Sequence, residues 1–553
     1  MARGRSRYDA PRRRAGSVLI ASGVSRSRRG RRSTPGGWMG VLVLLALAAA
    51  AVGGVVVWRS HTGTGADRRD AARRFAGAWE RRDATAMWRA LTPRSRAAHP
   101  VFAFTASYRR ADRAAGVRSV RIAGVGSEHG GAVALNAIVR TRDFGTLRGP
   151  VRLPVSGSGS SAGVDWDASL LLPGLRRGEA ARRRAGRAPQ RASVLAADGT
   201  RLDATALGAS IAGQAPPGAT GLERLYDQRL GGHPAEQLLF GSRVVARVQA
   251  VRGRSVHTTI RPSLMQRAAA ALGSRLGGVA VVRPRDGAVL ALAGLAVSAP
   301  QPPGSTFKIV TVSAALAYGL ATPSTAYPIR TFATLSGVKL RNASGEACGG
   351  TLARAFAQSC NSVFAPLGAR IGARRLVATA RAFGFGERLK IPAAKPSTIS
   401  PVAKLPDDLA VGAAAIGQDR DLATPLEMAS AGATIAASGR RAAPRIATLE
   451  PVRRRRVISS RVAHQVRAMM LDVVRSGTGA AAAIPGVEVA GKTGTAELRP
   501  NSHNPKDADA WFVAFAPARH PKVAVAVMLV GAGFGGTAAA PIARQVLQAA
   551  LGR

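Results

Sequence analysis

From Trp38 to Trp58 the chain runs 21 residues without a charge, in a protein whose formal net charge is +50. The run is rich in Val, Leu and Ala, has Trp at both ends, and is long enough to cross about 30 Å of hydrocarbon. It orders everything else. The 37 residues before it hold eleven Arg and one Asp among Gly, Ser and Pro, the composition of a disordered tail. Positive charge stays on the cytoplasmic side. The tail (1–37) is therefore expected in the cytoplasm, the span (38–58) as a single plasma-membrane pass, and everything from Arg59 outside. A cleaved signal peptide competes, favoured by the small residues 48–51, but the long tail and long apolar core favour an uncleaved anchor.

The chain has 553 residues, room for three or four domains. Its excess of Arg is dispersed among Ala and Gly, aromatics make up only 5%, and no nucleic-acid-binding motif is present. The charge thus suits an anionic membrane or wall surface, and no nucleic-acid partner is expected. Only two cysteines occur, Cys348 and Cys360, both on the outer side. An oxidising compartment permits a bridge between them worth ~2–3 kcal/mol, and two free thiols fit the sequence equally well.

From residue 66 to about 91, Ala72, Phe75, Ala76 and Trp79 recur at helical spacing. Alternating runs at 117–125, 132–141 and 151–155 follow, then Val164-Asp165-Trp166 and an apolar stretch to Leu175. This reads as a small α+β domain without a nucleophile, metal cluster or phosphate loop, a spacer by default. An Arg-rich connector, 176–191, leads into a poorly patterned segment in which residues 221–226 can start a short helix. Apolar strands are expected at 278–284 and 288–292, joined through the hairpin signal Arg285-Asp286-Gly287. Three more are expected at 487–498, 510–516 and 523–530, then a helix over 538–551. Two strands, a large helical insertion, three strands and a helix make an antiparallel sheet covered by helices.

The insertion opens on Pro303-Gly304-Ser305-Thr306-Phe307-Lys308, followed by the apolar helical run 309–317. A serine hydroxyl needs a neighbouring base, and Lys308, three residues on, shares its face. A lysine made neutral by burial and a nearby cation can serve; an arginine cannot. Only 8 of the 80 basic residues are Lys and none precedes 308, so a lysine here stands out. Ser336-Gly337-Val338-Lys339 has the same spacing, but no helix follows it. Ser359-Cys360-Asn361 adds a hydroxyl that can relay a proton and an amide that can hold a substrate; alternation would point both the same way. Ser502-His503-Asn504 matches too, but reads as loop. Gly491-Lys492-Thr493-Gly494-Thr495 places a lysine and two hydroxyls within a strand, suited to a carboxylate, with Gly494 leaving the strand edge bare for an extended peptide.

Ser-x-x-Lys, Ser-x-Asn and Lys-Thr-Gly in this order resemble the class B penicillin-binding proteins, monofunctional D,D-transpeptidases of the cell wall. Ala415-Ile416-Gly417-Gln418, residues 423–429 and residues 510–517 extend the likeness over 276–553. Residues 62–175 resemble, chiefly at Trp79 and 165–175, the NTF2-like N-terminal domain of MecA-type members. Residues 176–275 would then be a linker and reduced pedestal, departing from the family's Arg-Gly-x-Ile start with Arg191-Ala192-Ser193-Val194. The resemblance implies a multidomain α+β protein: one transmembrane helix, an NTF2-like domain, a short pedestal and a transpeptidase/β-lactamase-like domain with a five-stranded antiparallel sheet.

It further implies that Ser305 attacks the penultimate D-Ala carbonyl of a stem peptide while Lys308 takes its proton. The N–H groups of Ser305 and Thr495 would form the oxyanion hole. Ser359 would relay the proton to the leaving D-Ala, Lys492, Thr493 and Thr495 would hold its carboxylate, Gly494 would line the peptide strand, and Asn361 would position the peptide. An amine acceptor completes the cross-link. β-Lactams should acylate Ser305, no metal or cofactor is expected, and partners could include a membrane glycosyltransferase or other cell-wall synthesis proteins. A β-lactamase or carboxypeptidase would call for a water-activating base, and no second carboxylate motif supplies one. A non-enzymatic scaffold has no need of the full residue set.

Overall fold

A computed structural model describes residues 65–418, 420–498 and 504–553. The tail, the apolar span and most of Ser502-His503-Asn504 lie outside the described residues. Among the described residues no helix is long and apolar enough to cross a membrane.

Two compact units are present, residues up to 182 with 240–242, and residues 183–239 with 243–553. In the first, a helix over residues 65–80 (α1) buries Ala72, Phe75, Ala76 and Trp79, the face expected from spacing. The helix does not run on to residue 91. Arg82 takes a positive φ of 59°, and the Asp83 side chain accepts from Ala86 N to cap a new helix, Ala84–Arg89. A longer helix, α2 (Val101–Ala115), ends on left-handed Gly116. Four strands follow in sequential order: β1 (Val117–His129), β2 (Ala132–Thr141), β3 (Thr146–Ser156) and β4 (Gly163–Val164). In β2 the buried positions alternate, so one face packs and the other meets solvent. Phe104, Tyr108 and Trp166 stack within about 7 Å of each other and fill the space between helix and sheet.

The second unit is organised on five antiparallel strands: β5 (Gly277–Arg283), β6 (Ala288–Gly294), β7 (Ala490–Glu497), β8 (Ala508–Ala516) and β9 (Val523–Leu529). Their order in the sheet is β6-β5-β9-β8-β7. β5 and β9 are buried on both faces, which is why they read as unbroken apolar runs. The β5–β6 hairpin closes as expected: Gly287 has φ 69°, and Asp286 accepts from Ala288 N and from Arg283. Helices α3 (Lys308–Ala317), α4 (Leu352–Ala357), α5 (Asn361–Ile371), α6 (Pro425–Ala436) and α7 (Ser460–Arg475) come from the insertion, and α8 (Gly535–Leu551) ends the chain. Nine of the ten residues of α3 are buried, so it is the central helix that its apolar run called for.

Residues 194–230 and Val256 share this unit's core, through Val194, Leu202, Leu222, Leu230 and Val256. Arg191 is the anchor of that segment. Its guanidinium holds Glu223 at 2.6 Å and Asp227 at 2.7 Å, fastening the short helices Gly221–Leu225 and Asp227–Gly231. Under α6 a buried Arg441 pairs with Glu387 at 2.6 Å and lies 3.7 Å from Glu427, whose carboxyl burial pushes up to about 7.

Cys348 and Cys360 pair as a disulfide, the alternative the sequence left open. It ties the strand Cys348–Thr351 to the first residue before α5. Replacing both cysteines by Ala is expected to cost about 2–3 kcal/mol by loop entropy. Urea unfolding of the variant beside the wild type checks this.

Candidate active site

Ser305 sits in a 3-10 turn, Gly304–Phe307, that runs directly into α3 at Lys308. The sequence placed it on the helix itself. In a 3-10 turn residues three apart eclipse, so the hydroxyl and the amine share one side all the same. Two glycines make the turn possible. Gly304 has φ 50°, and a Cβ there would lie 2.4 Å from the Thr495 carbonyl oxygen. Gly417, in the stretch singled out for its resemblance, has φ 75° and would put a Cβ 2.1 Å from the Gly304 oxygen; Gly304 N donates to Gly417 O at 2.9 Å. Backbone from two other parts of the chain, around Gly417 and Thr495, thus clasps the turn that carries Ser305.

Lys308 is fully buried, and its Nζ donates to Ser359 O at 2.8 Å and Asn361 Oδ1 at 2.7 Å, with Ser359 Oγ at 3.4 Å. Lys492, also fully buried, donates to Ser359 Oγ at 2.8 Å and Thr493 O at 3.0 Å. One hydroxyl therefore lies between two amines. Ser359 and Asn361 meet Lys308 by a different route from the alternation expected. Ser359 takes a left-handed φ of 61° in the turn between α4 and α5, and Asn361 is the first residue of α5. A left-handed non-glycine residue at such a point stores strain that the surrounding contacts must hold. Asn361 Nδ2 donates to Arg341 O at 2.8 Å, so its amide is fixed at both ends.

Burial pushes the Lys308 amine well below its ordinary value, and the charge of Lys492 pushes it further. Burial alone lowers Lys492 to about 7. Among the described residues no carboxylate pairs with either. Each Nζ lies 5.5 Å from a ring centroid, Phe364 for Lys308 and Phe356 for Lys492, which favours the charged form of each amine and partly offsets burial. Two buried lysines of lowered proton affinity on either side of one serine hydroxyl form an arrangement that can move a proton to and from a hydroxyl.

β7 keeps an unbroken register with β8 from Ala490 opposite Phe515 to Glu497 opposite Ala508, so Gly494 is no bulge. A Cβ on Gly494 would meet Pro303 O and Thr306 Cγ2 at 2.9 Å, so the absent side chain lets the strand close on the Ser305 turn. β7 is the sheet's end strand, with a strand paired on one side only among the described residues. The decoy Ser336-Gly337 is a hairpin turn, both residues at positive φ, between strands Phe332–Leu335 and Val338–Arg341. Its Lys339 stacks on Phe332.

Sequence reasoning missed Thr478, whose Oγ1 lies 2.6 Å from Thr493 Oγ1. Its one local signal is the glycine on each side. Phe356, Phe364 and the Arg341 carbonyl were missed too.

Residues 277–548 match the family model of the penicillin-binding protein transpeptidase domain. The chain is 34% identical over 403 residues to the peptidoglycan D,D-transpeptidase PbpA of Mycobacterium tuberculosis, spanning 60% of this chain and 80% of that one. The PbpA of Mycolicibacterium smegmatis is 36% identical over the same shares. Among solved structures, the penicillin G acyl-enzyme complex of penicillin-binding protein A from M. tuberculosis superposes with a TM-score of 0.56 at 30% identity. It covers 66% of this chain and all of that one. The D,D-transpeptidase domain from Eggerthella lenta gives 0.58 at 29%, covering 66% of this chain and 99% of that one.

Proposed function

Because the chain belongs to the penicillin-binding protein transpeptidases of the class B-like kind, we propose a specific division of labour among its residues. The activity is peptidoglycan D,D-transpeptidation through a serine acyl-enzyme, with β-lactams as acylating ligands. Ser305 attacks the penultimate D-Ala carbonyl of a stem peptide, and neutral Lys308 takes its proton. The N–H groups of Ser305 and Thr495 receive the oxyanion, consistent with the close approach of Gly304 to Thr495. Ser359, lying between both amines, passes the proton to the leaving D-Ala. Lys492, Thr493 and Thr495 hold the terminal carboxylate, and Asn361 fixes Lys308 while its end of α5 lines the peptide. An amine of a neighbouring strand then takes the acyl group. The observation that carries this is the Ser359 hydroxyl shared by two buried lysines, one of them three residues after Ser305.

The cytoplasmic tail, single plasma-membrane pass and outward-facing catalytic unit rest on the uncharged span and the Arg excess before it. An NTF2-like spacer of the MecA type is supported by the four-stranded sheet packed on helices in the first unit. Membrane-borne cell-wall synthesis proteins, a glycosyltransferase among them, would be its neighbours. Intact mass of the full chain in detergent after exposure to benzylpenicillin tests the reading. A lasting adduct mapped to Ser305 is expected. An adduct elsewhere, or one that turns over with drug hydrolysis, overturns it.

A further inference from the structure

The geometry points to Thr478 as a positioning residue that turns the Thr493 hydroxyl toward the carboxylate of the acyl-donor peptide. This rests on the function just proposed. Thr478 lies in Gly477-Thr478-Gly479, between α7 and β7, and close packing fixes its backbone. A Cβ on Gly477 would sit 2.5 Å from Ala357 O, and one on Gly479 3.0 Å from the Phe512 ring. A Cβ on Gly536, near the start of α8, would sit 2.3 Å from Thr478 O. The side chain therefore has little choice of place. Its Oγ1 lies 2.6 Å from Thr493 Oγ1 and 3.3 Å from Ala357 O, while its N–H donates to that same carbonyl at 3.2 Å.

Each hydroxyl carries one hydrogen, so the pair has two arrangements. In one, Thr493 donates to Thr478 and Thr478 donates to Ala357 O; the Thr493 hydrogen then points away from the cleft. In the other, Thr478 donates to Thr493, whose hydrogen is free to be given to a ligand. The Ala357 carbonyl keeps the Thr478 N–H in both, so the change leaves no buried acceptor bare. A carboxylate in the cleft selects the second arrangement, because a charge-assisted bond outweighs the long 3.3 Å contact it replaces. Thr478 thus supplies the hydrogen bond that lets a buried threonine act as a donor to an anion. Because Ala357 ends α4, two residues before Ser359, the same threonine touches the segments that carry the proton relay and the carboxylate clamp.

The test is second-order acylation of the full chain by benzylpenicillin and by its methyl ester, with binding separated from the acylation step. For Thr478→Val, which keeps the shape and removes the hydroxyl, acylation by the acid is expected to fall about tenfold. The fall should lie in weaker binding, and the ester should react as it does with the wild type. Thr478→Ser should restore the acid. If Thr478→Val fails to fold, the ratio of acid to ester in Thr478→Ala decides by the same criterion. Equal losses with acid and ester, or no loss with either, overturn the assignment. A wild type that reacts with neither overturns the function itself, a separate outcome.

Discussion

Lys308→Arg is expected to lower the rate of acylation by benzylpenicillin on the order of 10^3-fold, the range seen when a positioned base is removed. The variant is similar in length and puts a permanent positive charge where the wild-type amine has its proton affinity lowered. It loses only the ability to be neutral, since a guanidinium does not deprotonate in a protein. The wild type should also show an acid limb: as pH falls through the lowered Lys308 value, the amine takes a proton and the rate drops. Lys308→Arg should lose that limb. Stopped-flow acylation from about pH 5 to about pH 9 checks both, and a variant as fast as the wild type, or with the same acid limb, would show that another group is the base.

The second large effect is expected at Gly304. Alanine there meets two separate penalties: a left-handed φ of 50°, and a Cβ 2.4 Å from the Thr495 oxygen. The first costs about 1–2 kcal/mol. The second cannot be relieved by a side-chain rotation, because the atom it strikes is backbone; turn and strand must separate. A shift of about 1 Å between a nucleophile and its oxyanion donors lowers rates on the order of 10^2-fold. Gly372 is the control, with φ 79° and nothing within 4 Å of a Cβ. Gly372→Ala should lose stability by a similar amount and keep its acylation rate. Equal acylation losses in the two variants would mean that strain, and not displacement, sets the rate.

Much of the site was legible because its chemistry leaves few substitutes. A lysine in an arginine-rich chain, three residues after a serine and ahead of an apolar helix, marks a task that arginine cannot perform, and the strand lysine at 492 followed the same logic. The sheet was legible because β5, β8 and β9 are largely apolar and the Asp286-Gly287 turn leaves one closure. Convergence was harder to read. Ser359 and Asn361 arrive by a left-handed turn, which no local pattern announces for a serine. Thr478 carries no signal of its own type: its meaning is a distance to a residue on another segment. The break at Arg82 escaped because the apolar spacing continues across it. Arg441 reads as one more surface arginine, and only the packing of α6 shows that it is buried.

The place of β5 in the sheet bears on how the molecule comes into being. Val279 is opposite Val527, so the strand that enters the five-stranded sheet first in sequence is paired on its inner side by one made about 240 residues later. Until residues 523–529 have been made, the β5–β6 hairpin presents an unpaired apolar edge, and the lysines have no closed interior to lower their affinity for protons. Contacts of such sequence separation close slowly, and an open strand edge meanwhile invites association with other chains. A chain cut short anywhere before β9 would therefore be an aggregation hazard with no nucleophile to offer. Competence to react therefore waits on the synthesis of β9.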